Sequence, residues 1–118
     1  MKYACLVYVD PSIVAPLTPE QNRRLSDESF EFDADLSQRG RLVLGQPLHE
    51  PAAAVTIRVR DGRMSSTDGP FAETREHLGG FFLITADSME EAVAIAAKSP
   101  MASMGSIEVR PAYDLVHS

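Results

Sequence analysis

The stretch KYACLVYV at residues 2–9 has apolar side chains at both odd and even positions and contains no turn-forming residue. Because successive side chains of a strand point to opposite faces of a sheet, this pattern predicts a strand with two apolar faces. The stretch FFLIT at residues 81–85 has the same character. Two such strands predict a sheet that must be covered on both sides.

Two helices are predicted from their termini. The motif TPEQ at residues 18–21 offers an N-cap, a proline at the first helical position and a glutamine three residues past the cap. Gly40 is a natural residue to follow the end of this helix. The motif SMEE at residues 88–91 is a second capping-box sequence, and Pro100 closes the helix that it begins.

The remaining apolar runs are short and alternate, which is typical of strands. Asp61-Gly62 separates two of them and is a strong hairpin signal. The resulting order is strand-helix-strand, a hairpin, then strand-helix-strand, which matches the ferredoxin-like split βαβ arrangement. We therefore predict one α+β domain over residues 1–118 with an added β-hairpin. The further strands are predicted at residues 41–44, 54–60, 63–67 and 106–110.

Two helices suffice to cover only one face of such a sheet. The economical cover for the second face is the same face of another copy, packed about a two-fold axis, so we expect a homodimer. The alternative is a monomer in which the loop at residues 68–80 folds over that face.

Composition limits the classes of function. Of 118 residues, 44% are hydrophobic and 24% are charged, as in an ordinary soluble domain, and the net charge of −6 disfavours direct binding to nucleic acid or anionic membranes. No run is long enough for a membrane span or a signal peptide, so we expect a cytoplasmic protein. Cys5 is the single cysteine, and we expect a buried, inert thiol.

The motifs of nucleotide, zinc-protease and serine-hydrolase sites are absent from the sequence, and the histidines lack metal-ligand spacing. No cofactor or metal is predicted. The densest cluster of reactive side chains is DGPFAETREHLGG at residues 68–80. Asp68 precedes the tight turn that Gly69-Pro70 imposes, and such a loop can hold a carboxylate rigidly as a general base or orienting group. The alternative is structural: Asp68 would accept backbone hydrogen bonds in its own turn, and Phe71 would fill the core.

Other side chains of this loop are candidates for binding. Glu73 and His77 are four residues apart, and on a helical turn they would form either an acid/base dyad or an ordinary surface pair. Arg75 is a candidate anchor for an anionic ligand, or else the partner of a neighbouring glutamate.

Three further candidates lie outside the loop. His49 lies in the bend between Pro47 and Pro51, and His117 lies near the C-terminus. Arg110 alternates with Ile107 and Val109 and so points to the other face of its strand, as Glu108 does. These two charged residues become ligand contacts if that face lines an intersubunit cleft, and cross-strand pairs otherwise.

The segment TDGPFAETRE at residues 67–76, followed by LGGFFLI at residues 78–84, resembles the DGPF group of the YCII-related proteins. The resemblance extends in order and spacing over nearly the whole chain. It implies a ferredoxin-like fold in a dimeric α/β-barrel-type assembly. It also implies a histidine and an aspartate in a shared pocket, of which Asp68 matches the aspartate and no histidine is assigned.

The resemblance and the loop together favour a small-molecule enzyme, lyase- or hydrolase-like, with an intersubunit acid/base pocket. Asp68 would be the general base or orienting group, Arg75 or Arg110 would hold a small anionic substrate, and Glu73 and His49 would contribute to binding. The resemblance also implies an alternative, a non-catalytic regulatory partner of an extracytoplasmic-type sigma factor in transcription initiation. An acidic chain would act there through protein contact.

Overall fold

The fold consists of six strands and four helices within the residues that the computed structural model describes, 1–115. The strands are β1 (Lys2–Val9), β2 (Leu42–Pro47), β3 (Val55–Arg60), β4 (Arg63–Asp68), β5 (His77–Thr85) and β6 (Ser106–Pro111). The helices are α1 (Pro11–Val14), α2 (Pro19–Gln38), α3 (Met89–Ala96) and α4 (Met101–Met104), and a 3₁₀ turn covers Pro51–Ala53.

The main sheet has the strand order β2-β5-β1-β6, and every neighbouring pair is antiparallel. Strands from the two ends of the chain thus lie side by side, as in a split βαβ arrangement. The hairpin β3–β4 forms a separate two-stranded sheet. The predicted α+β class, the βαβ-like order and the added hairpin are confirmed.

The helices cover one face of the main sheet. Helix α2 packs over β2, whereas α3 and α4 pack over β6 and β1. The buried core therefore collects the side chains of β1 and β5 that point toward the helices, together with a few from the helices themselves. These residues are Tyr3, Cys5, Val7, Leu36, Phe82, Ile84, Ala86, Ala92 and Ala96.

The predicted caps set the helix ends. The Thr18 hydroxyl accepts a hydrogen bond from the Gln21 backbone N–H at 3.1 Å, and the Gln21 side chain accepts one from the Thr18 N–H at 2.8 Å. Ser88 caps α3 by accepting from the Glu91 N–H at 3.1 Å. Only half of that capping box forms, because the Glu91 carboxylate accepts from the Asp87 N–H instead.

Strand β5 is longer than the sequence pattern predicts. It begins at His77 and runs through Gly79 and Gly80, where we expected a loop. The reason is a close approach of β2, since a Cβ atom added at Gly80 would lie 3.0 Å from the Gln46 carbonyl oxygen. Glycine here permits strand pairing that a larger residue would obstruct.

The face of the sheet away from the helices carries apolar side chains. Leu6 of β1 lies opposite Phe81 of β5, and Ala4 lies opposite Leu83. All four are half-buried. Residues 71–76 of the loop are all exposed, so the loop buries none of its own side chains there. The alternative in which this loop seals a monomer therefore gains no support.

The hairpin turns at Asp61 and Gly62, whose φ angles of 52° and 73° match the two left-handed positions of a type I′ turn. One side of the hairpin, which we call the hairpin apolar face, consists of Val55, Ile57, Val59 and Met64, which are 56 to 66% exposed. The opposite side carries Arg58, Arg60 and Arg63. An isolated two-stranded hairpin is only marginally stable in water, so this one requires further contacts.

The overall shape is a thin slab of 48 × 46 × 20 Å. Its radius of gyration is 16.4 Å, against about 13.5 Å for a compact domain of this length. Its accessible surface is 8748 Å², about 2400 Å² more than a compact monomer of this mass exposes. Four of the exposed large apolar side chains, Val55, Ile57, Val59 and Met64, lie on the hairpin.

Candidate functional site

The turn that follows Asp68 is held by the opposite strand of the hairpin. Gly69 adopts a φ of 104°, and its N–H donates to the Ala54 carbonyl oxygen at 2.7 Å. The Thr56 hydroxyl donates to the Gly69 carbonyl oxygen at 3.0 Å. These bonds fix the turn without using the Asp68 carboxylate, since no side-chain hydrogen bond or ion pair within residues 1–115 involves it.

The Asp68 side chain lies at the end of the hairpin apolar face, because Asp68 pairs with Val55 across the two strands. The side chain of Phe71 does not point into the core. Its ring is 77% exposed and lies 5.4 Å from the guanidinium carbon of Arg58. The hypothesis that Phe71 fills the core is therefore wrong, because the hairpin carries this loop away from the main sheet.

A cavity of about 350 Å³ lies at the base of the hairpin, and we call it the hairpin pocket. It brings together His49 and His77, which are 28 positions apart in the sequence. The pairing of β2 with β5 explains the convergence, because His49 follows the end of one strand and His77 begins the other. The walls of the pocket also include Leu48, Glu50, Pro70 and Leu78.

Two imidazoles and the carboxylate of Glu50 in one cavity are groups that can donate and accept protons. Pro70 belongs to the turn that follows Asp68, so the pocket adjoins that turn although Asp68 itself does not line it. His49 is among the binding candidates that the sequence predicts, but no sequence pattern connects it to His77. The signal that could have connected them is the strand pairing, which no local pattern reveals.

Arg75 lies on the outside of this region. Its guanidinium Nε is 3.9 Å from a carboxylate oxygen of Asp10, and its side chain is 88% exposed. Hydrogen bonds from the hydroxyl and the backbone N–H of Ser12 lower the pKa of Asp10, and the nearby charges of Arg75 and His77 lower it further. Arg75, Asp10 and His77 thus share one neighbourhood, and Asp10 is not among the candidates that the sequence predicts.

Glu73 and His77 do not share a helical turn, because residues 71–76 are irregular in conformation. Glu73 is exposed. The spacing of four residues therefore does not bring the two side chains together, and an acid/base dyad of this pair lacks its geometric basis. Arg75 forms its ion pair with Asp10 rather than with a glutamate of its own loop, as far as residues 1–115 are concerned.

Arg110 lies on β6, the strand at the opposite edge of the sheet from β2. It pairs with Ala4 on the open face, and its Nε is 3.4 Å from a Glu108 carboxylate oxygen. The predicted orientation of Arg110 and Glu108 away from the core is confirmed. One chain does not bring Arg110 to the hairpin pocket, however, and His117 lies outside the described residues.

The thiol of Cys5 is the remaining candidate for reactivity that the sequence offers. Cys5 is fully buried, and burial raises the pKa of its thiol to about 11, as expected of an inert core cysteine. No group of three or more potential metal-ligating side chains occurs in this part of the chain. Nor does any helix here have the length and apolar character to cross a membrane.

Comparison with known proteins gives two findings. The sequence model described as the YCII-related domain matches residues 1–115. The chain is also similar to an uncharacterized protein of Rhizobium meliloti (strain 1021). The two are 37% identical over 113 residues, which is 94% of this chain and 91% of the relative.

Proposed function

Because the chain belongs to the YCII-related domain family, we propose that it is a small-molecule enzyme of that family's DGPF group, with its active site at the hairpin pocket. The observation that carries the proposal is the meeting of His49 and His77 in one cavity beside the turn that holds Asp68. Ligand sites are typically concave, mostly apolar and furnished with a few convergent polar groups. The hairpin pocket has these properties.

The proposed roles follow from position. The two histidines act as proton donor and acceptor on the bound molecule. Asp68 acts as general base or orienting group from the rim, where no neighbour within residues 1–115 engages its carboxylate. Its rigid turn supports this role, because a catalytic carboxylate must keep its direction between turnovers.

The proposed substrate is a small anion. Arg75 adjoins His77 through Asp10 and can turn toward the pocket, since its 3.9 Å contact with Asp10 is long and exposed. Arg110 is too far along the sheet to help within one chain, so its contribution depends on a second copy. A lyase or hydrolase reaction requires only the acid, base and anion-binding groups named here.

We further propose that a second copy completes the site. The open sheet faces of two copies pack about a two-fold axis, and each hairpin extends over its partner. The excess of about 2400 Å² of accessible surface per chain is in the range that obligate dimers bury. Because Asp68 lies at the end of the hairpin apolar face, this packing carries its carboxylate into the intersubunit cleft.

The test is a thermal-shift screen of small carboxylates and phosphates, followed by activity assays on each compound that raises the melting temperature. We expect Asp68→Asn, His49→Gln and His77→Gln each to lower kcat, because each removes a group that transfers or orients a proton. Asp61→Asn is the matched control, since it makes the same charge change in the same hairpin and asparagine suits its turn position. Full activity of Asp68→Asn on an identified substrate would contradict the mechanism.

A second proposal rests on the exposed hairpin apolar face, which also suits a protein partner. In this case the chain is a non-catalytic partner of an extracytoplasmic-type sigma factor and uses this face for the contact. The two proposals predict different behaviour of the isolated protein. The enzyme is a dimer in solution, whereas the regulatory partner is a monomer whose hairpin becomes protected from hydrogen exchange only when the sigma factor is added.

A further inference from the structure

A second cavity, of about 430 Å³, lies between α2 and the helix-facing side of the sheet, and we call it the helix pocket. It exists because α2 packs over β2 while α3 and α4 pack over β6 and β1, which leaves a gap above β5 and the end of β1. Val9, Gly79 and Gly80 form part of its floor, and Met101 of α4 closes one side. Two glycines in the floor contribute no side chains to fill the gap.

Asp33 of α2 is the one ionisable residue among those that line the helix pocket within the described chain. Burial raises the pKa of its carboxyl group. Within residues 1–115 no hydrogen bond or ion pair engages the carboxylate. Its oxygens are not fully enclosed, and Asp33 is one of the residues that line the cavity. A Cβ atom added at Gly45 would lie 3.8 Å from one of these oxygens, which places the carboxylate directly over β2.

Aromatic residues line the same cavity. Phe32 and Phe82 meet edge to face with their ring centroids 5.5 Å apart, and both border the helix pocket. Phe30 stands at the rim and is 74% exposed. Phe30 therefore extends the apolar lining of the helix pocket to its mouth.

We propose that the helix pocket binds a small organic ammonium whose apolar, ring-sized body lies among the phenylalanines and whose cationic nitrogen pairs with Asp33. A half-buried carboxylate without a partner favours a ligand that brings a positive charge and hydrogen-bond donors. Phenylalanine faces attract cations as well as apolar groups. The net charge of −6 favours the approach of a cation over that of an anion.

This inference is independent of the proposed function. The helix pocket and the hairpin pocket are lined by different residues, and the ligands proposed for them carry opposite charges. Failure of one proposal therefore leaves the other standing. The volume of the helix pocket is in the lower part of the range for small-molecule sites, which suits a ligand with one aromatic ring.

The test uses three probes of similar size with the full chain: 2-phenylethylammonium, 2-phenylethanol and phenylacetate. Calorimetric titration at pH 7 measures affinity, and amide chemical shifts of Gly45 and Gly80 report whether the probe enters the helix pocket. We expect the ammonium to bind tightest and the carboxylate weakest. Asp33→Asn should weaken ammonium binding by about tenfold to a hundredfold and remove its advantage over the alcohol.

The matched control is Asp27→Asn, which removes the same charge from an exposed position on the same helix and should leave the affinity unchanged. Gly45→Ala adds a methyl group beside the carboxylate at ordinary contact distances from its neighbours, so the fold tolerates it while all three probes bind more weakly. The proposal is overturned if the ammonium binds no tighter than the alcohol or not at all. Equal ammonium binding by Asp33→Asn and the wild type would also overturn it. If Asp33→Asn does not fold, the wild-type ranking and Gly45→Ala decide.

Discussion

The substitution Ile57→Lys tests whether the hairpin apolar face is a subunit interface. Ile57 lies in the middle of that face, between Val55 and Val59, and is 63% exposed in the single chain. If two copies bury it, a lysine at this position must either leave its ammonium group in an apolar contact or push the hairpin away from the partner. We therefore expect a weaker dimer with an intact monomer fold.

The magnitude follows from the exposed fraction. Full burial of an isoleucine side chain stabilises by about 1.5–3 kcal/mol, so the part still exposed corresponds to about 1–2 kcal/mol per subunit. A two-fold axis places the residue in the interface twice, which gives about 2–4 kcal/mol for the dimer. The dissociation constant should therefore rise by about thirtyfold to a thousandfold, before any cost of desolvating the lysine is added.

Sedimentation equilibrium over a range of protein concentrations measures this constant directly. Thr67→Lys is the matched control, since Thr67 pairs with the uncharged Thr56 on the opposite side of the same hairpin and is exposed to solvent. A wild-type chain that is monomeric at micromolar concentration, or an Ile57→Lys chain that dimerises as tightly as the wild type, would refute the reasoning. In either case the intersubunit position proposed for Asp68 would be lost.

Three further predictions concern stability and reactivity. Thr18→Ala removes the cap of α2 and should lower the free energy of unfolding by about 1 kcal/mol, and thermal denaturation by circular dichroism would measure this; an unchanged melting temperature would show that the capping box adds nothing. With the pKa of Cys5 near 11, only about one thiol in a thousand is ionised at pH 8, so a disulfide reagent should label the native protein far more slowly than the urea-unfolded chain. Burial raises the pKa of Asp33 above its value in the unfolded chain, so the folded state binds the carboxyl proton more tightly. The stability that this tighter binding provides is fully present below the unfolded pKa and is lost as the pH rises through the folded pKa. Asp33→Asn should accordingly raise the melting temperature at pH 7 but not at pH 3, and equal effects at both values would contradict the burial.

Local signals predicted the elements whose causes are local. The capping box at Thr18 and the turn at Asp61-Gly62 each depend on residues within three positions of one another, and both form as expected. The start of β5 was not predictable in this way, because Gly79 and Gly80 read as loop residues until β2 lies beside them. The short helices α1 and α4 are too brief to produce a periodic pattern.

The candidate sites were predictable only where the turn chemistry was informative. Asp68 precedes a glycine with a left-handed φ, and Gly69-Pro70 indicated that tight turn. The meeting of His49 and His77 depends on strand pairing between distant segments. Asp33 carried a weaker signal, since its spacing of three from the buried Leu36 places it at the edge of the apolar face of α2. A single carboxylate at such an edge is not distinguishable from a solvent-facing one until the sheet beneath it is known.

One backbone contact lies between the two cavities. The Leu48 N–H donates to the Gly79 carbonyl oxygen at 2.9 Å. Pro47 and Gly79 line the helix pocket. Their neighbours in the chain, Leu48 and Leu78, line the hairpin pocket. The close approach of β2 to Gly80 holds this boundary in register, because any side chain there would meet the backbone of Gln46 and Pro47. Gly79 and Gly80 therefore hold both proposed binding sites at a fixed separation along the same pair of strands.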